Sequence, residues 1–167
     1  MSIELLLDPA TEAAVRAEWE ALAAHGMSSL APHTSASNRP HVTLLARSDL
    51  AAFDASALAE RSSFAVTLGA PVLFGAGERR VLARGIVPTV ELLDIHAAVH
   101  ALAGGGDDAP HTAPGAWTPH VTLGRRLRTV DLAGALDHVG GEIHGRATGL
   151  RLWNPVTATI TDIATFA

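Results

Sequence analysis

Short apolar runs alternate with longer amphipathic segments along the whole chain, and Pro or Gly residues separate many of them. An apolar run of about four to eight residues between turn residues is typical of a strand, whereas apolar residues every three or four positions indicate a helix. By these criteria the first part of the chain predicts β-α-β-α-β, with strands at about 2–7, 40–46 and 64–74, helices at about 10–25 and 49–60, and a polar loop at about 26–38.

The rest of the chain predicts the same order of elements and one more strand. The strands lie at about 79–87, 119–126, 143–153 and 157–166, the helices at about 89–103 and 129–139, and the loop at 104–117. Gly75-Ala76-Gly77 and Asn154-Pro155 each stand between two strand-like runs, which is typical of a hairpin. Helices combined with antiparallel hairpins indicate an α+β fold.

The chain contains two copies of one hexapeptide pattern. Arg39-Pro40-His41-Val42-Thr43-Leu44 returns 79 residues later as Thr118-Pro119-His120-Val121-Thr122-Leu123. A second tetrapeptide, Ala31-Pro32-His33-Thr34, returns as Ala109-Pro110-His111-Thr112. The spacing therefore predicts an internal duplication.

We predict one domain over residues 1–167, with repeats at about 1–79 and 80–158 and a closing strand at 159–167. Two copies of one unit in so short a chain predict a bilobal molecule with pseudo-two-fold symmetry. A crevice should lie between the two lobes.

The repeated His-x-Thr sequence is the candidate for chemistry. Residues i and i+2 of a strand point to the same side, so His41 and Thr43 share a face, as do His120 and Thr122. Two histidines beside one phosphate suit phosphoryl transfer, because a neutral ring accepts a proton from the attacking oxygen and a protonated ring donates one to the leaving oxygen. The threonine hydroxyls can donate to the non-bridging phosphate oxygens.

This doubled motif resembles that of the two-histidine (2H) phosphoesterase superfamily, and within it the RNA 2′,5′-ligase-like and RNA 2′,3′-cyclic phosphodiesterase group. The resemblance covers essentially the whole chain and implies a bilobal α+β fold with two antiparallel sheets flanking a central cleft. It also implies hydrolysis of 2′,3′-cyclic phosphate ends of RNA or nucleotides, with 2′,5′ RNA ligation as the reverse activity and with no metal or cofactor. The four catalytic residues it implies are His41, Thr43, His120 and Thr122.

Three arginines are candidates for binding the phosphate of the substrate. The resemblance extends the second motif to Arg125, which we prefer. Strict strand alternation instead puts Arg126 and Arg47 on the His/Thr face, and a bulge would reverse this.

Aromatic and loop residues supply further candidates for substrate binding. His33 and His111 stand in the two repeated loops, where we expect them at the rim of the site. Trp117 precedes the second motif and is a candidate for stacking on a base. Phe74 and Trp153 occupy equivalent strand positions, where core packing is the favoured interpretation and base stacking the alternative.

Composition removes several other mechanisms. There is no Cys, and all 12 basic residues are Arg, so thiol nucleophiles, a Walker A lysine and the lysine nucleophile of ATP-dependent ligases are excluded. The 17 acidic residues give a net charge of −5, which argues against broad nucleic-acid binding outside a local cleft. The start of the chain lacks the basic region of a signal peptide and no apolar run would span a membrane, so we expect a cytoplasmic monomer.

Two other functions remain open at this point. The first is a metalloenzyme in which His33, His41, His111 and His120 converge on zinc, although the paired threonines and the lack of nearby carboxylates count against it. The second is an inactive module that binds RNA or nucleotides. His96 and His100 also have a helical spacing that can bind metal, but without a third ligand nearby an exposed helix face is expected.

Overall fold

A computed structural model describes residues 1–35 and 37–167 of the chain. Within these residues it contains seven strands, four α-helices and one 3-10 turn. The strands are β1 (Ser2–Leu7), β2 (His41–Ala46), β3 (Phe64–Phe74), β4 (Arg79–Ile86), β5 (His120–Arg128), β6 (Ile143–Asn154) and β7 (Thr159–Thr165). The helices are α1 (Pro9–Ala24), α2 (Ser56–Ala59), α3 (Val90–Ala103) and α4 (Leu132–Leu136), the last preceded by the 3-10 turn Thr129–Asp131.

The predicted strands and the two long helices are confirmed, but the helix predicted at 49–60 is wrong over most of its length. Only α2 is helical in this segment, and its first residue follows Ala55, which makes no side-chain hydrogen bond to the helix. The Asp54 carboxylate accepts the Ser56 N–H at 2.9 Å instead, and Leu50 is buried in the core. The helix predicted at 129–139 is likewise reduced to the 3-10 turn and α4.

All strand pairs are antiparallel, and the predicted α+β class is confirmed. The strand order is β2-β1-β6-β3-β4-β5, and β7 pairs with β6. The structure differs from the expected pair of separate sheets in one respect. The first halves of β3 and β6 pair with each other, so two groups of strands are hydrogen-bonded into one sheet.

The two strand groups have the same register when the chain is shifted by 79 residues. In the first group Thr43 pairs with Glu4, and Glu4 pairs with Arg151. In the second group the corresponding row is Thr122, Ala83 and Val72. Register shifts also fall at equivalent places, between Ile3 and Glu4 and between Leu82 and Ala83. This identity of pairing supports the predicted duplication.

The strands that carry the two motifs lie at opposite ends of the strand order and nevertheless contact each other. The sheet therefore curves until β2 and β5 meet. Their alternate residues are fully buried on the core side, as Val42, Leu44, Val121 and Leu123 show. The histidines and threonines between them are only partly buried and face the other side. The alternation predicted for both motifs is confirmed.

Two tryptophans fix the spacing between the motif strands and their surroundings. The Nε1–H of Trp19, on α1, donates to the Thr122 carbonyl at 3.0 Å. The Nε1–H of Trp117 donates to the Thr43 carbonyl, also at 3.0 Å. Each motif is thus tied through its backbone to a part of the chain outside its own strand pair.

In the described part of the chain, none of the helices combines the length and the apolar character that crossing a membrane requires.

Candidate active site

A cavity of about 420 Å³ opens on the polar face of the first motif. Its floor comes from β1, β2 and β6, and its walls come from the loop before β2 and from Arg125 on β5. The residues that line it are Ser2, Glu4, Leu30, His33, Ser35, Ser37, Asn38, His41, Thr43, Ala46, Arg125, Arg151 and Trp153. A narrow crevice adjoins this cavity at His41 and Arg125 and extends to Thr122.

The rings of His41 and His120 are oriented by the same kind of hydrogen bond. His41 Nδ1 lies 2.6 Å from the Arg39 carbonyl, and His120 Nδ1 lies 2.7 Å from the Thr118 carbonyl. A carbonyl oxygen only accepts, so Nδ1 carries the hydrogen in both rings. The neutral form of each ring therefore has its lone pair at Nε2. In both copies a proline separates the histidine from the carbonyl it binds, and its fixed φ limits rotation between them.

The second histidine lies in apolar surroundings at the edge of the site. The Phe74 ring packs against the His120 ring at 4.4 Å between centroids and against His111 at 5.0 Å. Burial lowers the pKa of His120, and the charges of His111 and His41 lower it further, against the opposite effect of the Thr118 carbonyl. His120 is therefore mostly neutral at pH 7. The strands that carry the two rings, β2 and β5, contact each other.

A buried ion pair that the sequence analysis missed lies on the cavity floor beside His41. Glu4 is 4% exposed and Arg151 is 3% exposed. Arg151 Nε donates to Glu4 Oε2 at 2.7 Å, and Glu4 Oε1 lies 3.6 Å from His41 Nε2. The available signal was the offset of 79, which aligns these two charged residues with Ala83 and Val72.

The arginine preferred for phosphate binding lies in the cavity wall. β5 pairs Gly124 with Leu82 but Leu127 with Arg80, so it contains one extra residue here. This bulge places Arg125 at the cavity, whereas Arg126 is exposed and does not line it. The Arg126 backbone N–H donates to Ser28 Oγ at 3.0 Å.

The structure does not bring Arg47 to the site. This residue is 8% exposed, and its Nε donates to Asp108 at 2.5 Å. Its two terminal nitrogens donate to the carbonyls of Ala103 and Gly104. The prediction that Arg47 binds substrate is therefore corrected, because its guanidinium is used to attach the second loop to the end of β2.

The two repeated loops differ in their placement of the predicted histidines. His33 is exposed and lines the cavity, and the Asn38 amide holds its loop by donating to the carbonyls of Leu30 and His33. His111 is exposed and lies against Phe74 on the side of His120. His33 thus lies at the cavity and His111 lies on the side of His120, and the role of both in substrate binding stays a prediction.

Trp117 does not lie in the cavity, contrary to the base-stacking prediction. Its ring stacks on His96 at 4.0 Å with an angle of 8° between the planes, and its Nε1–H donates to the Thr43 carbonyl. His96 and His100 are buried, contrary to the expected exposed helix face. Their Nε2 atoms lie 2.9 and 3.1 Å from the carbonyls of Thr112 and Leu44. These side chains pack α3 and the second loop against β2.

Among residues 1–35 and 37–167, no three or more His, Cys, Asp or Glu side chains form a group that could hold a metal ion. The histidine cluster required by the metalloenzyme alternative is not formed there.

Comparisons with known proteins bear on the family and the fold of the chain. The family model described as the 2′-5′ RNA ligase superfamily matches residues 9–166. No curated protein sequence matches the chain. Among solved structures, Kluyveromyces marxianus Usb1 is similar in fold, with a TM-score of 0.55 and 13% sequence identity over 97% of this chain and 95% of that chain.

Proposed function

Because this chain belongs to the 2′-5′ RNA ligase superfamily, we propose that it hydrolyses 2′,3′-cyclic phosphates at RNA ends or on nucleotides by two-histidine acid–base catalysis. The observation that carries the proposal is the matched orientation of His41 and His120. Each ring has its Nδ1 hydrogen bonded to a backbone carbonyl, so Nε2 is the atom available for proton transfer in both. Neither ring needs a metal to act in this way.

The proposed reaction requires one proton acceptor and one proton donor. Water attacks phosphorus while one histidine takes a proton from it, and the bond between phosphorus and a ribose oxygen breaks. The other histidine gives its proton to that departing oxygen, which leaves a phosphate monoester and a free ribose hydroxyl. Thr43 and Thr122 can donate hydrogen bonds to the non-bridging oxygens, and Arg125 can offset their negative charge.

Ligation is the same chemistry with a ribose 5′-hydroxyl in place of water. The hydroxyl oxygen attacks the cyclic phosphate, and a 2′,5′ linkage forms as the ring opens. No ATP is needed, because the energy is held in the strained cyclic ester. This agrees with the absence of lysine from the chain, since ATP-dependent ligases form a covalent lysine adduct.

The charge of the molecule favours a terminal nucleotide over a long RNA tract. The net charge is −5, and of the predicted phosphate-binding arginines only Arg125 lines the cavity. Trp153 also lines it and offers an aromatic surface for one base. A cavity of about 420 Å³ is in the range that takes a small ligand.

The test is a turnover assay with 2′,3′-cyclic mononucleotides, RNAs with a cyclic end and 2′,5′-linked oligonucleotides, each with identification of the product. We expect the cyclic phosphates to open, in the presence of EDTA as well as without it. Loss of turnover in EDTA that zinc restores would support the metalloenzyme alternative. Binding of nucleotides without turnover of any substrate would support the inactive binding module. His144→Ala is a suitable control variant, since that ring is 73% exposed and outside the cavity.

A further inference from the structure

The cavity floor contains a carboxylate that is buried, ionically paired and adjacent to one histidine only. Glu4 is 4% exposed, and its Oε2 accepts the Arg151 Nε–H at 2.7 Å. Its Oε1 accepts the Ser2 hydroxyl at 2.7 Å and lies 3.6 Å from His41 Nε2. Arg151 is further fixed by donation to the Ser37 carbonyl at 2.9 Å.

Glu4 and Arg151 form a buried ion pair. An isolated carboxylate at this depth would be expensive to charge, whereas one bound by a guanidinium and a hydroxyl is stable as an anion. The oxygen that faces His41 is the one that Arg151 does not bind. Glu4 therefore presents negative charge to Nε2, the atom that exchanges protons in the proposed reaction.

Within residues 1–35 and 37–167, no carboxylate forms an ion pair with His120. The residues at the positions of Glu4 and Arg151 in the second strand group are Ala83 and Val72. The ring of His120 packs instead on Phe74, and the charged groups that act on it are the two histidines His111 and His41. Both of these disfavour a second positive charge.

The surroundings of His41 include other charges. Arg125 on β5, His33 in the loop before β2 and His120 are cations or potential cations on its cavity side. Arg125 is exposed and screened by solvent. Glu4 is buried and lies 3.6 Å from Nε2, and a buried charge at short range acts more strongly than an exposed one.

We propose that Glu4 is a positioning residue that holds the proton on Nε2 of His41, so that His41 is the general acid and His120 the general base. The inference rests on the proposed function. In the hydrolytic direction His120 Nε2 takes the proton of the attacking water, and the Nε2 proton of His41 goes to the ribose oxygen that leaves phosphorus. Exchange with solvent then restores both rings.

The first test needs no turnover. Isotope-labelled histidine side chains of the native protein are followed by NMR as the pH is raised, with His41→Ala and His120→Ala used to assign the signals. We expect the His120 ring to lose its proton first, while His41 keeps its proton. If His41 loses its proton first, or if both rings titrate together, the proposal is wrong.

The second test removes the carboxylate. In Glu4→Gln, His41 should no longer keep its proton to a higher pH than His120 does. The alkaline limb of the pH–rate profile should therefore move to lower pH by about one unit. KM should change little, because Gln keeps the shape of the floor. Glu142→Gln is the matched control, because it removes a carboxylate 3.8 Å from a histidine nitrogen where both side chains are exposed. An unchanged profile in folded Glu4→Gln would show that Glu4 only supports the fold.

Glu4→Gln leaves Arg151 without an anion and can fail to fold. In that case the double variant Glu4→Gln/Arg151→Gln, which has no buried charge at this place, is measured in the same way. The roles can also be separated with a nucleoside 3′-(4-nitrophenyl) phosphate, on which the ribose 2′-hydroxyl attacks phosphorus and 4-nitrophenolate leaves without needing a proton. This is the reverse of ring opening, so His41 takes the proton of the ribose hydroxyl and His120 faces the leaving group. His120→Ala should regain most of its activity on this substrate, and His41→Ala should not. Absence of turnover by the native enzyme would contradict the proposed function, whereas the NMR result decides the role of Glu4 independently.

Discussion

The two halves of the site have one backbone arrangement and two chemical environments. Beside His41 the sheet places the charged pair Glu4 and Arg151, and the cavity is open. Beside His120 the equivalent positions are apolar, and the Phe74 ring covers one side of the imidazole. The pairing register is the same in both.

In the proposed reaction, two strands with the same pairing register would hold two histidines that have different roles. Acid–base catalysis needs one protonated and one neutral group at the same pH. Two identical environments would give two rings with the same proton affinity. In the proposed mechanism, different neighbours at equivalent positions would separate these two protonation states, while the hydrogen bonds between Nδ1 and the backbone orient both rings in the same way.

Substitution of either histidine should reduce activity more than any other change considered below. We expect His41→Ala and His120→Ala each to reduce hydrolysis of a 2′,3′-cyclic phosphate by roughly 10²–10⁴. The double variant should be little worse than either single one, because the two groups act as a unit. Steady-state kinetics with circular dichroism as a folding control measures this. Full activity in either single variant would refute the two-histidine mechanism.

A second difference between the halves concerns Arg47 and Arg126, which are 79 residues apart. Arg47 is buried in an ion pair with Asp108, whereas Arg126 is exposed. Arg47→Ala should lower the free energy of unfolding by about 3 to 5 kcal/mol, since it removes the guanidinium that pairs with the Asp108 carboxylate. Arg126→Ala should change it by less than about 0.5 kcal/mol. Denaturant titrations compare the two, and weakened substrate binding at unchanged stability in Arg47→Ala would restore its predicted binding role.

The third prediction separates the neighbouring arginines of β5. Arg125→Ala should lower kcat/KM roughly 10- to 100-fold, because a charge-assisted hydrogen bond to phosphate is lost. Arg126→Ala is the matched control and should stay within about twofold of the native value. Kinetics on a cyclic nucleotide decides between them. A larger loss of kcat/KM in Arg126→Ala would mean that strand alternation, and not the bulge, determines which arginine faces the substrate.

The smallest expected effect is on stability against pH. The pKa of His120 is lowered in the folded protein, chiefly by burial, from an ordinary value of 6.5. Folding therefore favours the neutral ring, and this contribution is present above about pH 6.5 and is lost as the pH falls. His120→Gln should lose less stability on acidification than the native protein does. His144→Gln, at an exposed ring, should behave as the native protein. Both variants should still lose some stability as the pH falls, because burial also lowers the pKa of His96.

Much of the fold is readable from the sequence because its strands are bounded by turn residues and repeat. The two motif strands, the hairpin between β3 and β4 and the closing strand all lie where the pattern predicts them. The joining of the two strand groups through β3 and β6 is not readable, since it depends on pairing between residues far apart, such as Phe64 with Ala147. The duplication of the chain stays a prediction, supported by the common register.

The candidate site is partly readable for the same reason. A motif that appears twice identifies His41, Thr43, His120 and Thr122, but their catalytic roles stay predictions until variants are measured. Arg125 depends on a bulge that no local pattern indicates. Glu4 and its partner are 147 residues apart, and a glutamate inside an apolar strand shows its use only after that partner is known.

The pairing of β1, near the start of the chain, with β6, near its end, also determines when the sheet can form during synthesis. β1 pairs with β6, so Ser2 lies opposite Trp153 in the finished sheet. β1 leaves the ribosome first, but the edge that pairs with β6 stays uncovered until that strand, the last but one, has been synthesised. Half of the chain, released alone, would expose that unpaired edge and offer it to other chains. The first cavity therefore forms only after β6 has emerged, and until then β1 keeps one unpaired edge.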